Sequence, residues 1–335
     1  MPATDKRFFY TRDDGRVQCI LCPHYCRIPE GGMGFCYVHR NQDGSMVNIA
    51  YGKPMAVAVD PIEKKPLFHF LPGTQILSIG TAGCNLGCKF CQNWDISKAR
   101  TDHVRSFNLS PQAVVDMAVS QGCPSIAYTY NEPIVFAEYL IDIAGIARER
   151  GLKNVMVSNG YITHKALPYV FEYIDAANID LKAFDDRFYR KYTLSQLKPV
   201  LDTLVKLKEM GIWVEITTLL IPGLNTDPKM IKAEVRWILK NLGASVPVHF
   251  TAFFPTYKMT DRPRTSAQIL LDARTIAMDA GIKYVYVGNV VSKAANTYCP
   301  NCGRLLIERS WHEVTKNTLH NHRCKCGEEI PIIEP

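Results

Sequence analysis

The sequence predicts an α/β chain: a partial (βα)6-type barrel with a cysteine-rich N-terminal extension and a small cysteine-rich tail. Three observations predict it. Short apolar runs alternate with amphipathic stretches from about residue 74 to 292. Eleven of the twelve cysteines gather in bunches instead of scattering. Finally, 335 residues suit one large α/β unit with attachments. Composition is that of a globular chain, 47% hydrophobic and 21% charged, which excludes a disordered or fibrous protein. The formal charge of +7, from 39 basic and 32 acidic residues, permits an acidic partner without demanding one. The longest apolar stretch, 134–147, is broken by Glu138 and Asp142, so no membrane span is expected. MPATDKRFF lacks the apolar centre of a signal peptide, and a cytoplasmic location is the expectation.

Residues 1–73 are expected to form a cysteine-rich N-terminal region, 74–292 the barrel and 293–335 the tail. The barrel's strands are expected at QILSIG (75–80), SIAYTY (125–130), NVMVSN (154–159), AANIDLKA (176–183), IWVEITTLLI (212–221), VHFTAF (248–253) and KYVYVG (283–288). Helices are expected to open at Ser110-Pro111, an N-cap followed by a first-turn proline, and to cover 133–150, 163–173, 196–210, 228–241 and 266–280. Such alternation gives parallel strands joined by right-handed crossovers, with the chemistry on loops after the strands' C-terminal ends. The stretch VNIAYGKPMAVAVDPIEKKPLFHFLPG has no clear helical period.

The first barrel strand runs into TAGCNLGCKFC, spacing Cys84-x3-Cys88-x2-Cys91. Three local thiolates leave one iron of a four-iron cubane without a protein ligand, an open position for a substrate or cofactor. Gly83 and Gly87 allow the loop to bend around a bulky cluster. A C-x3-C-x2-C motif after a first barrel strand, with aromatic Phe90 before the last cysteine, resembles the radical S-adenosylmethionine (SAM) superfamily. CxLCPHYC, GGMGFC, DPIEKKPLFHFLPG, YTYNEP, IDLKAF and VYVGNV extend the resemblance over residues 19–290. They bring it closest to the pyruvate formate-lyase-activating-enzyme-like group and, within it, to the AmmeMemoRadiSam-system radical SAM proteins.

The resemblance implies a 4Fe–4S cluster on Cys84, Cys88 and Cys91, SAM chelated at its fourth iron, and an external one-electron donor of flavodoxin or ferredoxin type. It implies an enzyme that cleaves SAM to a 5′-deoxyadenosyl radical and abstracts hydrogen from a protein or small-molecule substrate. It also assigns site residues. Glu132 of TYNEP would meet the SAM ammonium, and Asn131, Glu132 and Pro133 equally suit a helix start. Ser158 and Asn159 would lie near the ribose, although Val157 stands where some relatives carry an acid. Asp180 would lie near the ribose and Lys182 would meet the SAM carboxylate, with a plain ion pair as the alternative. Thr217, Thr218 and His249 could line the adenine or substrate side, and an ordinary hydrogen-bonded histidine suits His249 as well.

Cys19, Cys22, Cys26 and Cys36 put four thiols within eighteen residues, which fits zinc or a complete auxiliary cluster, with His24 able to replace one ligand. Cys299, Cys302, Cys324 and Cys326 resemble a zinc ribbon. The second pair has one intervening residue where two are usual, so either that knuckle is irregular or His320 or His322 substitutes. Cys123 reads as a buried apolar residue. Two other readings compete: a radical enzyme acting on RNA, for which lysines and arginines near the tail are sparse, and a non-enzymatic iron–sulfur or zinc scaffold.

Overall fold

The computed structural model describes residues 9–13, 15–99 and 105–335. An eight-stranded sheet organises the chain, its strands lying side by side in sequence order. Strand β1 is Ala56–Pro61, β2 Gln75–Gly80, β3 Ser125–Tyr128, β4 Lys153–Ser158, β5 Ala176–Asp180, β6 Trp213–Leu220, β7 Val248–Ala252 and β8 Val285–Gly288. From β2 to β8 every neighbouring pair is parallel. The first and last strands do not pair, so the barrel is partial. Each of the seven runs named from sequence ends within three residues of its strand.

The crossovers are helical. Helix α1 (Pro111–Ser120) begins as expected, with Ser110 Oγ accepting from Ala113 N. Helix α2 is Ala137–Glu149, α3 Leu197–Glu209, α4 Pro228–Asn241 and α5 Ala267–Asp279. The stretch 163–173 makes only the short helix Leu167–Val170. Thr163 ties off the turn before it, and Pro168 cannot donate to a preceding carbonyl.

The segment expected to stand outside the barrel is woven into it. Strand β1 pairs antiparallel with β2. Ile62, Leu67, Phe70 and Leu71 then bury against Ile76, Ala127, Val155 and Ala176 at the base of the sheet. The cysteine-rich part before residue 50 shares the main core through Cys19, Leu21, Ile28 and Val38. Cys123 is buried in that core as expected.

The tail forms a three-stranded antiparallel sheet from Thr297–Tyr298, Leu305–Ser310 and Glu313–Asn317. Arg309, fully buried, fastens it to the barrel: its guanidinium donates to Phe68 O (2.8 Å), Thr297 Oγ1 (2.8 Å) and Ala295 O (3.2 Å) and faces Glu63 at 3.6 Å. No helix among the described residues is long and apolar enough to cross a membrane.

Candidate active site

Loops at the C-terminal ends of β2 to β8 enclose a cavity of about 250 Å³. Cys84, Cys88 and Cys91 line it, with Phe90, Glu132, Asn159, Asp180, Lys182 and Thr217. The strand-to-loop turn after β2 is shaped by backbone contacts that exclude side chains. Gly83 has φ +87°, and a Cβ there would collide with Cys36 O; a Cβ on Gly87 would stand 2.5 Å from Leu194 Cδ1. Asn131 holds the turn: its amide donates to Ala82 O (3.1 Å) and Gly83 O (2.8 Å), and its Oδ1 accepts from Thr81 N (3.0 Å). Lys98 donates to Leu86 O from the other side.

Donors near the thiols partly offset their burial. Leu86 N donates to Cys84 Sγ at 3.3 Å, and Asn159 Nδ2 lies 3.9 Å from it. Burial pushes the Cys84 thiol well up, and pushes Cys88 up to about 12 while the Lys182 ammonium pulls it back. Three soft donors around a space open on one side match a cubane held at three corners. A zinc knuckle needs sulfurs in much closer contact, about 3.8 Å apart for Zn–S of about 2.3 Å. The four tail thiols meet that condition: all four ligand atoms lie within 4.8 Å of one another, with Cys299–Cys326 at 3.6 Å and Cys302–Cys324 at 3.7 Å.

Glu132 lies at the mouth of β3, only 1% exposed, as the cap of the turn Pro133–Phe136; the cap is Glu132, not Asn131. Its carboxylate accepts from Ser158 Oγ (2.7 Å), Asn159 N (2.8 Å) and Ile134 N (3.1 Å). Burial nevertheless pushes its pKa up to about 7, the three donors only partly offsetting it. Lys182 Nζ pairs with Asp180 Oδ2 at 2.7 Å. Burial costs the ammonium, but Asp180 and the Cys88 and Cys91 sulfurs hold it well above its ordinary range.

Not every expected residue reaches this cavity. Ser158 is spent on Glu132, behind the wall. Thr218 points to the other face, as alternation along β6 requires, and donates to Glu234 at 2.5 Å. Thr217 does line the cavity, its hydroxyl buried and without a partner. His249 borders a second cavity and hydrogen-bonds Glu215 through Nε2 at 2.7 Å. His24 is not among the thiols: it stacks on Phe35 (4.3 Å) and its Nε2 meets Asn85 O at 2.8 Å. His39 stands beside Cys36 instead, and the spacing Cys36-x2-His39 could have pointed to it. At the tail no histidine substitutes: all four cysteines converge, and His322 faces Glu334. Tyr130 and Asn289, both at cavity walls, hold left-handed φ of 70° and 60°, strain of the kind that collects at functional sites.

The second cavity, about 610 Å³, opens beside the first and shares Pro66, Thr251 and Asn289 with it. The mouths of β7 and β8 form one wall, with Phe68 and His249, and the tail's Glu308 to His312 form the other. Lys64 and Lys293 add positive charge at its rim.

The chain belongs to the radical SAM superfamily, whose sequence model matches residues 78–238. The chain is 44% identical over 333 residues to the uncharacterized protein MJ0808 of Methanocaldococcus jannaschii, covering 97% of this chain and 98% of that one. It is 23% identical to the pyruvate formate-lyase-activating enzyme of Clostridium pasteurianum over 48% of this chain and 67% of that one. A solved domain of pyruvate-formate lyase-activating enzyme from Bacteroides vulgatus ATCC 8482 superposes with a TM-score of 0.42 at 20% identity, covering 49% of this chain and 98% of that one. The protein is a radical SAM enzyme, and its family's cofactors are a 4Fe–4S cluster and SAM.

Proposed function

We propose that Cys84, Cys88 and Cys91 hold the 4Fe–4S cluster and that the protein abstracts hydrogen from a substrate held in the adjoining 610 Å³ cavity. The single observation carrying the reading is convergence. Three thiols on one loop, and Glu132, Asn159, Asp180 and Lys182 from three successive strand ends, line one cavity. When bound, the cluster and SAM supply a 5′-deoxyadenosyl radical from one electron. The chain's own residues bind and aim. Glu132 takes the SAM ammonium, with Ser158 fixing its carboxylate. Lys182 turns from Asp180 to the SAM carboxylate, which frees Asp180 for the ribose beside Asn159. Phe90 and Thr217 close the wall. His249, locked by Glu215, fixes the shape of the substrate side.

Within the superfamily we place the protein with the pyruvate formate-lyase-activating-enzyme-like group and the AmmeMemoRadiSam-system proteins, on the strings from CxLCPHYC to VYVGNV. The electron comes from an external flavodoxin- or ferredoxin-type donor, in the reducing cytoplasm. Zinc belongs at Cys299, Cys302, Cys324 and Cys326, where the sulfur spacing suits it. Anaerobically reconstituted protein with dithionite and SAM should release 5′-deoxyadenosine and methionine. A Cys84→Ala/Cys88→Ala/Cys91→Ala variant should release none. No release from cluster-loaded wild type overturns the reading.

A second reading concerns the substrate. A cavity of 610 Å³ walled by the tail has the size of a small-molecule site. It favours a small molecule over a glycine on a partner enzyme. A glycyl doublet in electron paramagnetic resonance after incubation with candidate partner enzymes would return the assignment to an activase.

A further inference from the structure

The N-terminal thiols carry an assignment of their own. Cys19, Cys22, Cys26 and Cys36 come from two hairpin-like turns, and all four line one small enclosed void, with Ile134 and Val135 closing it from the barrel side. We propose that these four cysteines hold a second iron–sulfur cubane, coordinated entirely by protein and seated directly behind the loop that carries Cys84.

Four observations support it. The first is spacing. Among the described residues, the tail cysteines alone bring three or more ligand atoms within 4.8 Å of one another. No three of the N-terminal sulfurs lie within 4.8 Å of one another, nor do Cys84, Cys88 and Cys91, although each set lines one void. Tetrahedral zinc would draw its sulfurs to about 3.8 Å apart, as in the tail, and a two-iron cluster would draw them together in pairs. Four sulfurs held apart around a common centre suit a cubane, whose corners are wider.

The second is the provision for charge. Phe35 N donates to Cys26 Sγ at 3.4 Å, and the His39 ring lies 3.5 Å from Cys36 Sγ through Nδ1. Glu138 anchors the far nitrogen of that ring at 3.2 Å. A carboxylate–imidazole–sulfur relay of this kind orients a ligand and tunes the group it holds. In its absence these thiols, Cys19 and Cys36 buried and Cys22 and Cys26 half-buried, would gain little from such donors. The third is surroundings. Leu21, Ile28, Ile134 and Val135 are buried around the void and lower the dielectric on that side, one of the factors that set a cluster's potential.

The fourth is position. The carbonyl of Cys36 packs on Gly83 so closely that a side chain there would collide, and Gly83 adjoins Cys84. Asn85 links the two sides: its Nδ2 donates to Tyr161 O, its Oδ1 accepts from Asn159, and its carbonyl meets His24. The second cluster therefore shares a wall with the first.

The test is a metal count on the full chain after anaerobic reconstitution with ferrous iron and sulfide. Wild type should hold about eight irons and one zinc per chain, four irons for each cubane. The Cys84→Ala/Cys88→Ala/Cys91→Ala variant should retain about four irons, with a Mössbauer spectrum of a four-iron cluster and no response to SAM. In reduced wild type, two paramagnetic signals should appear, and SAM should shift only one. A Cys22→Ala/Cys26→Ala variant should lose the SAM-insensitive signal and keep the other. Two zincs and no iron in the first variant, about two irons there, or a single SAM-sensitive signal in wild type would each overturn the proposal. If the protein loads both clusters yet releases no 5′-deoxyadenosine, the proposed reaction fails while this site stands.

Discussion

Glu132 gives the sharpest test of the proposed SAM site. Burial lifts its pKa to about 7, so the carboxyl is substantially protonated in the folded protein just below neutrality. Only the ionised form can hold the SAM ammonium. About a tenth of the carboxyls are ionised at pH 6 and about nine-tenths at pH 8, so SAM should bind about tenfold tighter at pH 8 than at pH 6. The sign is fixed by the raised pKa: affinity grows as pH rises through 7 and fades as it falls. Replacing the carboxylate with an amide removes a charge-assisted hydrogen bond, about 1.5–3 kcal/mol, or roughly 10- to 150-fold in Kd. The amide introduced by Glu132→Gln would also turn its NH2 group either toward the Asn159 N–H, which now points at Oε2, or toward the Ile134 N–H and Ser158 hydroxyl, which now share Oε1. The assay is equilibrium dialysis of SAM against cluster-loaded wild type and Glu132→Gln at pH 6, 7 and 8. The variant's profile divides out titration of SAM itself. Equal pH slopes in the two proteins, or equal affinity at pH 8, would refute the assignment.

Three other perturbations separate positioning from scaffolding. Arg309→Met leaves Glu63 buried with its partner gone and should cost about 3–5 kcal/mol, read as an earlier denaturation midpoint and faster proteolysis of the tail; Arg309→Met/Glu63→Gln should recover part of it. Gly87→Ala drives a Cβ into Leu194 at 2.5 Å and should lower iron per chain, with Gly87→Ala/Leu194→Ala restoring it. Thr218→Val strips Glu234, itself pushed up to about 7 by burial, of the hydroxyl that donates to it; stability should fall by about 1–3 kcal/mol while the Kd for SAM is unchanged.

Much of the barrel was legible because its signals are local. Val, Ile and Tyr runs of strand length alternate with capped helices, and Ser110-Pro111 fixes a helix start to the residue. The antiparallel β1 was not, because AVAVDP opens with an unbroken run of Ala and Val and ends in a proline, with no polar alternation to separate its faces. The three-thiol loop TAGCNLGCKFC was legible from its spacing and its resemblance to the radical SAM motif. The clamp on it was not: Asn131 acts fifty residues away in sequence, through contacts that no local pattern encodes. Thr217 and Thr218 look interchangeable in the sequence, and only the pleat of β6 decides that one faces the cavity and its neighbour a helix. Likewise His249 gains its partner from Glu215 on the adjacent strand, a pairing set by register.

The segment DPIEKKPLFHF explains why barrel, cavities and tail form one unit. Asp60 accepts from Lys64 (2.7 Å), Lys65 (2.6 Å) and Tyr130 OH (2.7 Å), which ties the segment to the strained residue at the first cavity's wall. Pro66 then separates the two cavities, and Phe68 O takes the Arg309 guanidinium from the tail. Phe68 N and His69 N both donate to Glu215, whose other role is to hold His249. Buried charges are costly unless each is paired, and here Tyr130, Glu215 and Arg309 join this segment to the barrel and the tail. A continuous set of contacts therefore runs from the tail to the 610 Å³ cavity through Arg309, Phe68, Glu215 and His249. Stripping any metal held by the four tail cysteines should loosen those contacts at their far end, while Cys84, Cys88 and Cys91, on a loop fastened separately by Asn131 and Lys98, keep their places.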